Sequence, residues 1–232
     1  MSTPRLPPLY PIVNVRDHGQ AERDRVFALA LELAGAGATL LQLRAKPLGA
    51  GALADLASRL LERLEGSAVQ LIVNDRLDVA LACGAAGVHL GDEDLPVGPA
   101  RRVVLESSAG RHSPHDEADF LIGYSTHSPD EAARAQAEPA DYLGFGPVFE
   151  SPTKAGVRAA RGIELLAKAC RASRLPVVAI GGIALANARQ CWEAGAASVA
   201  VISEIESSAD RHALVAQYLR VAREAGVVSE RN

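Results

Sequence analysis

The chain has 232 residues, 48% of them hydrophobic and 22% charged, with a formal net charge of −4. This is the balance of an ordinary soluble domain, and the acidic charge argues against a nucleic-acid partner, which asks for a basic face. No apolar run approaches the ~20 residues of a membrane span, and the opening MSTPRLPPLY holds no apolar leader core, so a cytoplasmic protein is expected.

Leu9–Val13 reads as a first strand, followed by a helix over Ala21–Ala34 that Gly35-Ala-Gly37 stops. Thr39–Leu43 is the second strand and Ala52–Leu64 the next helix. Val69–Val73 and Gly87–Leu90 are the third and fourth strands, joined by a helix over Leu77–Cys83. Pro99–Leu105 reads as a short helix, and the polar Ser107–Glu117 as a flexible loop or insertion. Leu121–Tyr124 is the fifth strand, and Ser128 caps a helix over Pro129–Ala137. Tyr142–Phe145 is the sixth strand, then a loop over Gly146–Gly162 and a helix over Ile163–Cys170. Val177–Ile180, a helix over Ala186–Ala194, Ser198–Val201 and a closing helix over Ala209–Ala225 complete the series. Strict alternation of eight β-α units predicts a parallel sheet closed into a single (β/α)8 TIM barrel spanning residues 1–232. Ala and Gly precede the strand in three units, at Gly37, Gly87 and Gly195, which suggests close helix–strand packing. Cys83, Cys170 and Cys191 show no CxxC spacing and are expected to be reduced structural thiols.

Ligands of such barrels bind at the strand C-terminal ends, so the residues delivered there matter most. The third and fourth strands deliver Asp75 and, shortly after, Asp92, Glu93 and Asp94, carboxylates suited to a hard cation such as Mg²⁺. The second strand delivers Gln42, Arg44 and Lys46, which alternation aims together at the barrel axis. Inward cations are costly unless they meet anions; they pair with the carboxylates or clamp a diphosphate. Ser125 ends the fifth strand as a ligand or as a cap for the next turn, and His127 reads as a structural or surface histidine. Lys154, beside Ser151 and Thr153, suits a mobile phosphate ligand. The tandem Gly181-Gly182 and Ser203 lie where barrels commonly cradle a phosphate. Two anion sites with different demands point to two phosphorylated small-molecule substrates.

Taken together, QLRAK at Gln42–Lys46, NDR at Asn74–Arg76, GVHLGDEDLP at Gly87–Pro96, GYSTHS at Gly123–Ser128, GFGPVFESPTK at Gly144–Lys154, AIGGI at Ala179–Ile183 and VAVIS at Val199–Ser203 resemble the thiamine phosphate synthase family. The likeness runs from Tyr10 to about Ile205. It implies an enzyme that joins an aminopyrimidine methyl diphosphate to thiazole phosphate and releases pyrophosphate. It implies that Gln42, Leu43, Arg44, Ala45, Lys46, Asn74, Ser125 and Lys154 handle the pyrimidine diphosphate, with Arg44, Lys154 and Ser125 acting in catalysis. Asp75 and Asp94 would hold Mg²⁺, and Ser151, Pro152, Thr153, Gly182, Ile202 and Ser203 would receive the thiazole phosphate. The chain departs from the family pattern in having Asp92 where Gln is common and Ser151 where Thr is usual, and in the 107–117 segment. Dissociative departure of the diphosphate, followed by capture by a positioned thiazole nitrogen, explains why no general base stands out. A related thiazole tautomerase would keep the phosphate cradle without the diphosphate clamp. A non-catalytic phosphate-binding barrel would leave the converging carboxylates and cations unexplained. A homodimer stays open.

Overall fold

The computed structural model describes residues 5–108, 120–150 and 159–227. Its eight strands are β1 (Leu9–Asn14), β2 (Leu40–Arg44), β3 (Gln70–Asn74), β4 (Gly87–Leu90), β5 (Leu121–Thr126), β6 (Tyr142–Phe145), β7 (Val177–Ile180) and β8 (Ser198–Val201). They close in sequence order into a barrel, every pair parallel, with β1 beside both β2 and β8. The helices between them are α1 (Gln20–Gly35), α2 (Ala50–Leu64), α3 (Leu77–Cys83), α4 (Val97–Ser108), α5 (Pro129–Ala135), α6 (Gly162–Ala172) and α7 (Leu185–Glu193). After β8 come α8 (Ser203–Ser207) and α9 (Arg211–Glu224).

The period-2 alternation of each strand sorts the apolar residues into two cores. Tyr10, Ile12, Leu40, Ile72, Leu121, Tyr142, Val178 and Ala200 fill the lumen. Their neighbours, among them Leu9, Val13, Leu41, Leu43, Val73 and Val199, face outward and meet the apolar stripes of the helices. Each strand therefore reads as a nearly unbroken apolar run, as expected of parallel strands buried on both faces.

Several boundaries differ from the sequence expectation. β2 runs one residue further, to Arg44, and β5 runs on to Thr126, because each keeps pairing with its neighbour: Asn14 sits opposite Arg44, and Thr126 opposite Phe145. β3 starts at Gln70 rather than Val69. α4 is longer at both ends and takes in Ser107 and Ser108, the start of the expected loop; the rest of Ser107–Glu117 lies outside the described residues. α8 is an additional turn, too short and polar to carry a periodic apolar signal. The three small-residue junctions have two causes. Gly87 does sit in close contact: a Cβ there would strike the Leu121 carbonyl and come within 2.9 Å of Ile72. Gly37 has open space instead and a φ of +96°, so the left-handed turn ending α1, not packing, asks for glycine. The cysteines are free thiols, as expected, and burial pushes Cys191 up to about 12 and Cys170 up to about 11.

Candidate active site

The C-terminal rim of β1 and β2 places Asn14 beside Arg44. The Arg44 guanidinium donates from Nη1 to Asn14 Oδ1 at 2.7 Å. Gln42, one inward position deeper, is buried and donates to the Tyr10 hydroxyl at 3.1 Å. Lys46 departs from the expected inward aim. β2 has ended at Arg44, strand alternation no longer governs, and the Lys46 side chain is 59% exposed, with its Nζ 3.7 Å from Asp75 Oδ2.

Across the rim, Asp75 and Asp94 come together. Asp75 follows β3 with a φ of +66°, a left-handed conformation that Asp and Asn tolerate better than most residues. Its amide is fixed by the His89 carbonyl at 2.8 Å. Asp94 Oδ2 accepts the Gly91 amide at 2.7 Å, which folds the loop after β4 back toward β3. The two carboxyls act on each other: burial first, then the charge of Asp94, pushes the Asp75 pKa up, and Lys46 and Arg44 pull it partly back. Two crowded carboxylates gain from sharing either a proton or a cation, and their hard oxygens suit a divalent ion that completes its shell with water or phosphate oxygens. Among the described residues no cluster of three or more His, Cys, Asp or Glu forms a closed metal cage. Asp92 turns away from this pair: it accepts from the Tyr124 hydroxyl at 3.1 Å and lies 3.9 Å from His127 Nε2.

Below the rim a line of polar groups crosses the lumen. The Tyr10 and Tyr142 hydroxyls are 3.0 Å apart, Tyr142 reaches His89 Nδ1 at 3.2 Å, and His89 Nε2 reaches Ser125 Oγ at 3.0 Å. Ser125 thus faces the lumen inside β5 rather than capping the following turn; Ser128 is the cap, accepting the Glu131 amide at 3.1 Å. Glycine makes room for the histidine: a Cβ on Gly144 would lie 3.1 Å from its ring, and one on Gly123 2.5 Å from Nδ1. Burial lowers the His89 pKa to about 4, against a smaller upward pull from Asp94, so the ring is neutral at working pH. The unfolded chain takes up this proton near pH 6.5 and the native chain does not, so the contribution of His89 to stability is complete above pH 6.5 and is lost as pH falls toward 4. Part of the ring still reaches the barrel mouth, which limits the effect to about 2 kcal/mol. We expect denaturant midpoints to fall over that window in the native protein, and the His89→Gln variant to show a flatter acid limb. An unchanged limb would count against the neutral buried ring.

His127 is structural, as expected, and its job is specific. Nδ1 donates to the Gly146 carbonyl at 2.7 Å, and its amide donates to Glu131 at 2.7 Å. It thereby fixes the β6 exit, where Gly146-Pro147 is cis. The Val148 and Phe149 amides then bond to the Ile180 and Gly181 carbonyls, at 2.9 and 3.0 Å, so the β6 and β7 exits form one surface.

On that surface Gly181 and Gly182 both have positive φ, +98° and +64°. The space beside Gly182 is taken by protein: a Cβ would overlap the Glu150 carbonyl and lie 2.8 Å from Phe149 Cβ. Close loop packing and the positive φ therefore demand glycine there. Asn187 braces the cradle from behind, donating to the Gly182 carbonyl at 2.9 Å and accepting the Ala184 amide at 2.9 Å. Ile202 closes the lumen beside β8, and Ser203 opens α8. Glu204 Oε2 accepts the first amide of α7 at 2.9 Å, and the Tyr218 hydroxyl, joining α7, α8 and α9 under the cradle. Ser151, Pro152, Thr153 and Lys154 lie outside the described residues. Of the expected residues that are described, Gln42, Arg44, Asn74, Asp75, Asp94 and Ser125 gather around β2–β5 and Gly182, Ile202 and Ser203 at β7–β8 of one barrel mouth. The Leu43 and Ala45 side chains are instead buried in the outer core, Leu43 because alternation turns it away from the lumen.

Sequence reading passes over Asn14, Tyr10, Tyr142 and His89. For His89 a signal exists: its register partner on β5, Gly123, and Gly144 on β6 are glycines at inward positions, and both leave room for its ring. The tyrosines look like ordinary core residues until their hydroxyls are placed.

The comparisons agree with this geometry. The family model described as thiamine monophosphate synthase matches residues 9–205. A thiamine-phosphate synthase of Anaeromyxobacter dehalogenans is 41% identical over 96% of this chain and 90% of its own length. One of Methanocella arvoryzae is 39% identical over 87% of this chain and 89% of its own. Among solved structures, a thiamine phosphate pyrophosphorylase from Pyrococcus furiosus superposes with a TM-score of 0.77 at 30% identity, covering 94% of this chain and 96% of that one. With the match spanning all eight strands and both groups of rim residues, the chain belongs to the thiamine monophosphate synthase family.

Proposed function

We propose that the protein joins an aminopyrimidine methyl diphosphate to thiazole phosphate, yielding thiamine phosphate and releasing pyrophosphate, with Mg²⁺ as the required ion. The observation that supports this reading is that the Arg44 guanidinium with a carboxylate pair on one side, and a positive-φ glycine turn on the other, open at one barrel mouth. Arg44 and the Asp75–Asp94 pair suit a diphosphate with its counter-ion; the Gly181-Gly182 turn beside Ser203 suits a monophosphate. Asp75 and Asp94 would hold the ion, which supplies counter-charge to the diphosphate oxygens. Arg44 presents a fork of donors to the same oxygens and follows their growing charge as the bond to the methylene lengthens. Ser125, held by a neutral His89, stands over the lumen where the pyrimidine would sit. The cradle fixes the thiazole phosphate so that its ring nitrogen meets the methylene, and positioning then replaces general-base chemistry. Lys154 belongs to this proposal by resemblance.

The test is direct: purified protein with both substrates and Mg²⁺ should form thiamine phosphate by mass spectrometry, and omission of either substrate should abolish it. Turnover of thiazole phosphate alone would favour a tautomerase instead. The two ends should also separate by mutation. Arg44→Ala should weaken the pyrimidine diphosphate by about tenfold or more while sparing thiazole phosphate. Gly182→Ala, which must displace the Phe149–Glu150 backbone, should do the reverse. Calorimetric titration of each variant with each ligand checks this; equal loss of one ligand in both variants would remove the two-site reading.

A further inference from the structure

Arg44 and Lys46, the two cations that β2 delivers, are treated differently by the protein. Lys46 lies beside a carboxylate, Asp75. Arg44 makes no ion pair among the described residues; its partner is the neutral amide of Asn14, at 2.7 Å. A guanidinium only donates, so the amide must present its oxygen. Asn14 itself is held on both sides. It is the register partner of Arg44 across β1 and β2, and the next amide, Val15 N–H, bonds to the Arg44 carbonyl at 2.8 Å. Its own carbonyl accepts from Arg25 Nη2 at 2.5 Å. Arg25 is gripped in turn by the buried Glu22 through two bonds, of 2.8 and 2.7 Å, and lies 3.7 Å from Glu206. Glu22 also accepts the Arg16 amide at 2.8 Å, which fixes the turn that follows β1. The carboxylates on the β1 side, Glu22 and Glu206, are thus engaged by Arg25 and Arg16; Asp75 acts on Arg44 only through space, and the group that hydrogen-bonds Arg44 is neutral.

We infer that Asn14 is a positioning residue for Arg44: its amide oxygen fixes the guanidinium fork at the barrel mouth without adding a negative charge of its own, so the fork stays available to an anionic substrate group. The inference rests on the proposed binding of a diphosphate at Arg44. An aspartate at position 14 would hold the fork equally well but would neutralise it, whereas an aliphatic residue of the same size would leave the charge and release the fork. Both changes should therefore harm the same ligand for different reasons.

The experiment uses steady-state kinetics of Asn14→Leu and Asn14→Asp, alone and with Asn14→Leu combined with Arg44→Ala. Asn14→Leu is expected to raise the KM for the pyrimidine diphosphate about tenfold, with the KM for thiazole phosphate unchanged. Asn14→Asp should raise it at least as much. In the Arg44→Ala background, Asn14→Leu should add nothing, because the group it positions is gone. Calorimetry with inorganic pyrophosphate and Mg²⁺ supplies a readout independent of turnover, and Asn14→Ser, too short to reach Arg44, replaces Asn14→Leu if the latter lowers the thermal midpoint. Additive losses in the double variant, or equal changes for both substrates, would overturn the role of Asn14. Failure of the unmodified protein to bind pyrimidine diphosphate would instead overturn the functional reading beneath it.

Discussion

Asp75→Asn is expected to lower Mg²⁺-supported turnover by about a hundredfold or more and, at the same time, to make the metal-free protein more stable at neutral pH. Both effects have one cause. Burial and the nearby Asp94 carboxylate raise the Asp75 pKa, so at neutral pH the native state carries a charge that it opposes. For a carboxyl raised on folding, the favourable contribution exists below the unfolded pKa and disappears as pH climbs through the folded one. Asparagine removes the charge and keeps the left-handed backbone at φ +66° without strain. Solvent that still reaches the half-buried carboxyl keeps the gain small. Thermal melts in EDTA and in MgCl₂ check it: the native protein should gain stability from Mg²⁺, and the variant should start higher and gain little. Full turnover of the native protein in excess EDTA, or a metal-free variant that melts lower, would contradict the account.

A larger structural effect is expected from the smallest substitution. Gly123→Ala puts a methyl group 2.5 Å from His89 Nδ1 and closer still to the buried Tyr142 ring, with no open space to absorb either. Overpacking of this kind costs about 1–3 kcal/mol. Because the two displaced groups stand between Tyr10 and Ser125, turnover should fall with stability. Gly37→Ala is the matched control. It meets open space at φ +96°, so it should cost about 1 kcal/mol through backbone strain alone and leave kcat untouched. Denaturant titrations paired with kcat measurements separate the two; a Gly123→Ala enzyme with native kcat would show that the lumen groups do not support the site.

The barrel was legible because apolar runs of four to six residues recur with turn residues between them, and each run is buried on both faces. Asp75, Asp94 and Arg44 were legible for a related reason: charged residues just after such runs stand at the strand ends. Lys46 misled because alternation was carried one step past the last paired residue of β2. Asp92 misled because proximity in sequence to Asp94 says nothing about the turn between them, which sends it to Tyr124 and His127. Asn14 was invisible for a deeper reason. Its role depends on lying opposite Arg44 in the β1–β2 register, a relation between distant positions that a single sequence does not display. α8 was missed because five residues fall short of any helical period.

The line of groups through the lumen also has a direction. Gln42 Nε2 can only donate, so the Tyr10 oxygen accepts a hydrogen bond from it. If Tyr142 also donated to Tyr10, the Tyr10 proton would have no other acceptor within hydrogen-bonding distance among the described residues. Both buried phenols resist ionising, since burial raises the pKa of each. Every hydroxyl proton is placed only if Tyr10 donates to Tyr142 and Tyr142 donates to His89 Nδ1. That order forces the neutral imidazole into the Nε2–H tautomer, and the imidazole then donates to Ser125. The serine oxygen thus accepts from below, which leaves its own proton free to donate elsewhere. An amide on β2 thus sets the direction of the hydrogen bonds as far as Ser125 on β5, three strands away.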